Sequence, residues 1–202
     1  MYLLGWCGGK AYVRCSRRAS SPDVDWKKYW LAAGVDVKVL YSNFVNYLVG
    51  NGWILVRRSD GHAASPVLDD SVNPGIPSSY LEFMLNFISL TNEDESRWFV
   101  SIDEFAGGSV GAFSWNEFEK MSLGSAISDA DVEDIRKFWD EHLPILMAVG
   151  GDYQFVGLGR NSGAVVYGIE PEFESVTKIA DTFDDFISAA IKGQCDDLLF
   201  GR

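Results

Sequence analysis

Cysteine and histidine are nearly missing from this chain, with three of the first and two of the second in 202 residues. Cys7, Cys15 and Cys195 are odd in number and far apart. They fit neither a disulfide framework nor a zinc spacing, which points to a reducing compartment, and no metal or cofactor is expected. Long apolar runs are absent too: no stretch approaches the ~18 residues of a membrane-spanning helix. The opening Met1–Gly9 is too short and too glycine-rich for the apolar core of a signal peptide, and no Asn-x-Ser/Thr acceptor occurs. The cytoplasm is the expected location. Positive charge is also in short supply. Seventeen Lys and Arg face 29 Asp and Glu, a net charge of −12. Such a surface repels phosphate backbones and anionic headgroups, which excludes nucleic acid and membrane as direct partners.

What is present is a large apolar inventory: 47% of residues, including 7 Trp, 8 Tyr and 13 Phe. A sizeable core is available, and the length suits one domain with an appended segment. The charge is uneven. Residues 1–36 hold six bases against three acids, whereas residues 129–202 hold fifteen acids against six bases. The first 36 residues lack any sustained periodicity. They read as a loosely ordered basic extension, one that an upstream start codon could have added. Residues 37–194 read as the domain, and 195–202 as a short tail.

Within the domain, Leu40, Phe44, Tyr47 and Leu48 recur at helical spacing and put one stripe inward. Trp53–Val56 reads as a short buried strand, followed by a polar loop over 57–75. Pro77 opens a helix with Leu81, Met84, Leu85 and Ile88 on its buried face. Trp98–Ile102 is the next strand, and Trp115–Met121 a helix after a glycine-rich turn. Ser128 and Asp131 resemble a capping box at the start of a helix carrying Val132, Ile135 and Trp139, which Pro144 ends. Tyr153–Leu158 and Ala164–Ile169 form a hairpin around Gly159–Gly163, and Val176–Ile179 is a further strand. Thr182 and Asp185 cap a last helix, with Phe183, Phe186, Ile187, Ala190 and Ile191 buried. Interspersed helices and a hairpin define an α+β class with a mainly antiparallel or mixed sheet flanked by helices.

Four segments occur in an order that resembles the SUKH superfamily, which includes a yeast cell-wall-synthesis regulator and many bacterial immunity proteins acting against polymorphic toxins. Ile76-Pro77-Ser78-Ser79-Tyr80-Leu81-Glu82-Phe83 is similar to the family's helix start. Leu143-Pro144-Ile145 with Gly150-Gly151-Asp152-Tyr153 is similar to its central strand region. Gly163–Tyr167 resembles a following strand, and Ile179–Ile187, with Phe183 and Phe186, resembles the closing helix. The resemblance covers roughly residues 37–193. It implies a mixed sheet wrapped by helices and a surface that binds another protein, with Pro77, Tyr80, Phe83, Pro144, Ile145, Gly150, Gly151, Asp152, Tyr153, Phe183 and Phe186 as structural motif residues.

Chemistry-bearing patterns are few. Gly107–Gly111 matches the G-x-S-x-G nucleophile elbow around Ser109, but Asp103–Ala106 separates it from the preceding strand, and His142 has its acids beside it on one helix, where they cannot orient the ring. A hydrolase using Ser109 is therefore the weakest reading, and a C-terminal capping role suits His142 better. Gly150–Tyr153 reads first as a tight turn, with Asp152 bonding backbone amides. Two acidic groups stand out: Asp129, Asp131, Glu133 and Asp134 at a helix start, and Glu170, Glu172, Glu174, Asp181, Asp184 and Asp185 near the C-terminus. The expected partner-binding residues are Asp129, Asp131, Glu133, Asp134, Asp152, Glu170, Glu172 and Glu174. The expected function is a non-enzymatic immunity protein that blocks a basic toxin domain, such as a nuclease, through an acidic surface. The alternative is a regulatory scaffold of the same fold.

Overall fold

A computed structural model describes residues 37–58, 75–107 and 113–201. The expected N-terminal extension, residues 59–74 of the expected polar loop, and Ser109 lie outside the described residues, and Arg57, expected in that loop, ends β1. Seven strands form one sheet in sequential order, each antiparallel to its neighbours: β1 (Trp53–Arg57), β2 (Phe87–Asn92), β3 (Arg97–Phe99), β4 (His142–Ala148), β5 (Gln154–Gly159), β6 (Val165–Ile169) and β7 (Thr177–Ala180). The helices are α1 (Val37–Gly50), α2 (Ser78–Met84), α3 (Ile102–Phe105), α4 (Glu117–Ser125), α5 (Asp129–Glu141), α6 (Phe183–Ile191) and α7 (Asp196–Phe200). The chain is an α+β domain, and the sheet is wholly antiparallel among these residues.

Strand alternation gives the sheet two faces, and different helices cover each. Paired residues Phe99, Leu146, Val156 and Tyr167 form a row on one face. There Phe99 meets Phe44 of α1, Trp53, and Phe83 of α2 at ring separations of 5.4–5.7 Å. Phe83 also contacts Tyr41, Phe87 and Phe183, so α1, α2 and α6 share one aromatic cluster. The opposite row runs Trp98, Met147, Phe155, Gly168. Phe155 is covered by Phe118 of α4 and Trp139 of α5. Gly168 is required here, because a Cβ would sit 2.2 Å from the Phe155 ring.

The motif residues act as structural pins. Tyr80 is fully buried, and its hydroxyl is shared between the carbonyl oxygens of Val100 at 2.6 Å and Ile145 at 2.8 Å. It ties α2 to the β3–β4 pair beneath it. Thr182 caps α6 by accepting from the Asp185 amide at 3.1 Å, and Ser128 caps α5 in the same way. Each such cap is worth about 1 kcal/mol.

Several sequence expectations need correction. The helix opened by Pro77 stops at Met84, because the Asn86 side-chain amide donates to the carbonyls of Glu82 and Phe83 and competes with a further turn. Ile88 therefore lies in β2. The segment Trp98–Ile102 is strand only to Phe99. Ser101 and Glu104 then form a reciprocal capping box that starts α3. β1 is an edge strand rather than a buried one, since only Trp53 is buried. Finally, the expected tail contains α7, whose Leu198 and Leu199, with Cys195, join the core.

Candidate partner-binding surface

In an antiparallel meander, alternate connections fall at the same end of the sheet. The turn before β1 (Asn51, Gly52), the β2–β3 turn (93–96), the β4–β5 turn (149–153) and the β6–β7 loop (170–176) all lie at one end. These turns carry Glu93, Asp94, Glu95, Asp152, Glu170, Glu172 and Glu174 and no Lys or Arg. Arg97, at the start of β3, is the base next to them. At the opposite end stand Arg57, Arg58 and Arg160.

The carboxylates at the acidic end divide into two kinds. Glu170 accepts from the Tyr153 amide at 2.9 Å, and Glu174 accepts from the Trp139 indole N–H at 2.8 Å. Both are half-buried and spend their charge on holding the β6–β7 loop against the domain. Glu93, Asp94, Glu95, Asp152 and Glu172 are exposed. The Asp94 carboxylate accepts from the Ser96 amide at 3.0 Å, and hydrogen bonds from Ser96 hold its pKa below the usual range. Among the described residues none of these five forms an ion pair. Asp152 follows Gly151, which has a φ of 112°. The turn is as expected, but Glu170, not Asp152, takes the amide there.

The other expected group sits on a different element. Asp131 is half-buried and accepts from the Ile127 amide at 3.1 Å, so it finishes the start of α5. Asp129, Glu133 and Asp134 are exposed, next to Ile127 at 94% exposure. This set lies on α5, about 8 to 15 Å along the helix from Trp139, the residue that meets Glu174. The eight expected residues thus lie on two kinds of element, the turns at one end of the sheet and the start of α5. Among the C-terminal acids, Asp184 accepts from the Tyr41 hydroxyl, Asp185 from Thr182, and Asp181 pairs with Lys178.

Sequence reasoning missed Glu93, Asp94 and Glu95. Their signal was the polar run Asn92–Ser96 between two β-rich stretches, hidden once Ile88 was read as helical. His142 stands at the C-terminal cap of α5, where its Nδ1 lies 2.9 Å from the Phe138 carbonyl oxygen and its ring stacks on Phe138 at 4.4 Å. No helix among the described residues is long and apolar enough to cross a membrane.

These features define a class: a helix-flanked antiparallel meander with carboxylates gathered on the turns at one end. Residues 74–189 match the SMI1/KNR4 family (SUKH-1), and the chain belongs to that family. No curated protein matches it.

Proposed function

We propose that this chain is a non-enzymatic, cytoplasmic protein-binding domain, an immunity protein that neutralises a cognate toxin through its acidic surface. The observation that carries the reading is a set of five exposed carboxylates on three turns at one end of the sheet, none of them ion-paired among the described residues. Unneutralised like charge costs self-repulsion in the free protein, and a basic partner relieves that cost. Turns are also where a scaffold tolerates functional residues, because the paired strands hold them in place. A nuclease domain, with its basic substrate groove, is the toxin class this surface fits best. The exposed acids at the start of α5 supply a second contact to the same partner. Catalysis plays no part in this reading.

The test is growth rescue against any toxin domain found encoded beside this gene. Wild-type protein and Ser109→Ala are expected to protect equally, while Asp152→Lys combined with Glu172→Lys abolishes protection with the fold intact. Loss of protection in Ser109→Ala alone would favour the hydrolase. Failure of the wild type to protect, with a cellular protein bound at the same end, would favour a regulatory scaffold.

A further inference from the structure

Both outer strands of the sheet present open edges among the described residues, and they are guarded differently. β7 carries exposed Lys178, ion-paired to Asp181. Charge of this kind is how native sheets prevent edge-to-edge pairing. β1 lacks that guard over Trp53–Val56. Its exposed residues are Ile54 at 48% and Val56 at 47%, both β-branched. Its one charged residue, exposed Arg57, stands at the C-terminal end, beyond the register shift between Val56 and Arg57.

The other end of β1 is acidic. Trp53 pairs with Asn92, so the turn bearing Glu93, Asp94 and Glu95 stands beside the start of the strand. An open cleft of about 280 Å³ lies there, lined by Asn51, Trp53, Glu93, Asp94 and Phe200 among others. The edge is thus apolar along its length, positive at one end and negative at the other.

We propose that β1 pairs antiparallel with β1 of a second copy of this chain, about a twofold axis at Leu55, joining two sheets into one. This register sets Ile54 opposite the partner's Val56, and Trp53 opposite the partner's Arg57. Each Arg57 then enters the acidic cleft of the other copy. A twofold contact uses the same patch twice, so the patch must complement itself. This edge does so only in the antiparallel sense, since parallel pairing would set Arg57 against Arg57 and carboxylates against carboxylates. A contact of one short strand is small, so the dimer is weak, with a Kd on the order of micromolar. The association does not depend on the toxin reading, because it requires only the protein itself.

Sedimentation equilibrium of the full chain from roughly 1 µM to 1 mM spans the range such an interface needs. The mass is expected to rise from 22.4 kDa toward twice that value. Ile54→Lys and Arg57→Glu are each expected to weaken association about tenfold or more, since each acts twice in a twofold contact. Both side chains are exposed, so circular dichroism and the melting temperature should stay unchanged. Restoring the dimer by adding Glu93→Lys and Asp94→Lys to Arg57→Glu would establish the antiparallel geometry. A monomer throughout the range, or a dimer indifferent to both single variants, would overturn the proposal.

Discussion

The two ends of the sheet use charge in opposite ways: one sets its arginines against carboxylates, and the other leaves carboxylates in solvent. At the end that holds the arginines, Arg58 is drawn into the structure: its Nη2 lies 2.5 Å from Asp103 Oδ2 and 3.3 Å from the Phe87 carbonyl oxygen. Arg160 is half-buried there beside Asp140 and Glu119, and burial both lowers its pKa and raises that of Glu119. At the acidic end, only Glu170 and Glu174 are drawn in, and five neighbours stay in solvent. Charge that is paired and partly buried holds the fold, and charge left unpaired on turns is available to a partner. Net charge alone does not distinguish the two.

Disrupting the arginine-bearing end should cost most. Arg58→Met leaves the Asp103 carboxylate without its cation and the Phe87 carbonyl without a donor, and is expected to destabilise by about 2–3 kcal/mol, read from the urea midpoint. At the acidic end, Glu174→Ala orphans the Trp139 indole N–H and should cost about 1–2 kcal/mol. Glu172→Ala, two residues away but exposed, should stay within about 0.5 kcal/mol of wild type. Equal losses in the two would erase the distinction between pinned and exposed carboxylates.

A smaller effect concerns pH. Burial raises the pKa of the half-buried Glu104, against the hydrogen bonds from Ser101 that lower it. A carboxyl with a raised native pKa binds more protons folded than unfolded. Its contribution is therefore fully present below the unfolded value and is lost as pH rises through the native one. Glu104→Gln keeps an acceptor for the Ser101 amide and removes the buried charge. It should flatten that fall in stability as pH rises above the ordinary glutamate range, measured by urea titration at each pH. An unchanged pH profile would remove Glu104 from the account.

The parts legible in advance were those with local chemistry. Ser128 and Thr182 announced their helices because a hydroxyl three residues before an acid satisfies an orphan amide, and both caps form. Gly159–Gly163 announced its hairpin, with Gly163 at a φ of 69°. Hidden were features set by tertiary context. Trp53–Val56 reads the same whether a strand is central or at an edge, and only the pairing with β2 alone reveals exposed Ile54 and Val56. The Asn86 side chain that ends α2 has no strong signature, so the helical reading of the sequence runs on to Ile88, the second residue of β2. The acids near residues 170–185 looked uniform, yet tyrosine, tryptophan, threonine and backbone groups absorb most of them.

The most direct test measures binding between this protein and a basic nuclease-toxin domain, the partner class proposed above, by calorimetry at about 50 and 300 mM salt. Affinity is expected to fall steeply with salt and to be lost in Asp152→Lys combined with Glu172→Lys, while the melting temperature of that variant matches wild type. Binding that ignores both salt and the charge reversal would contradict it.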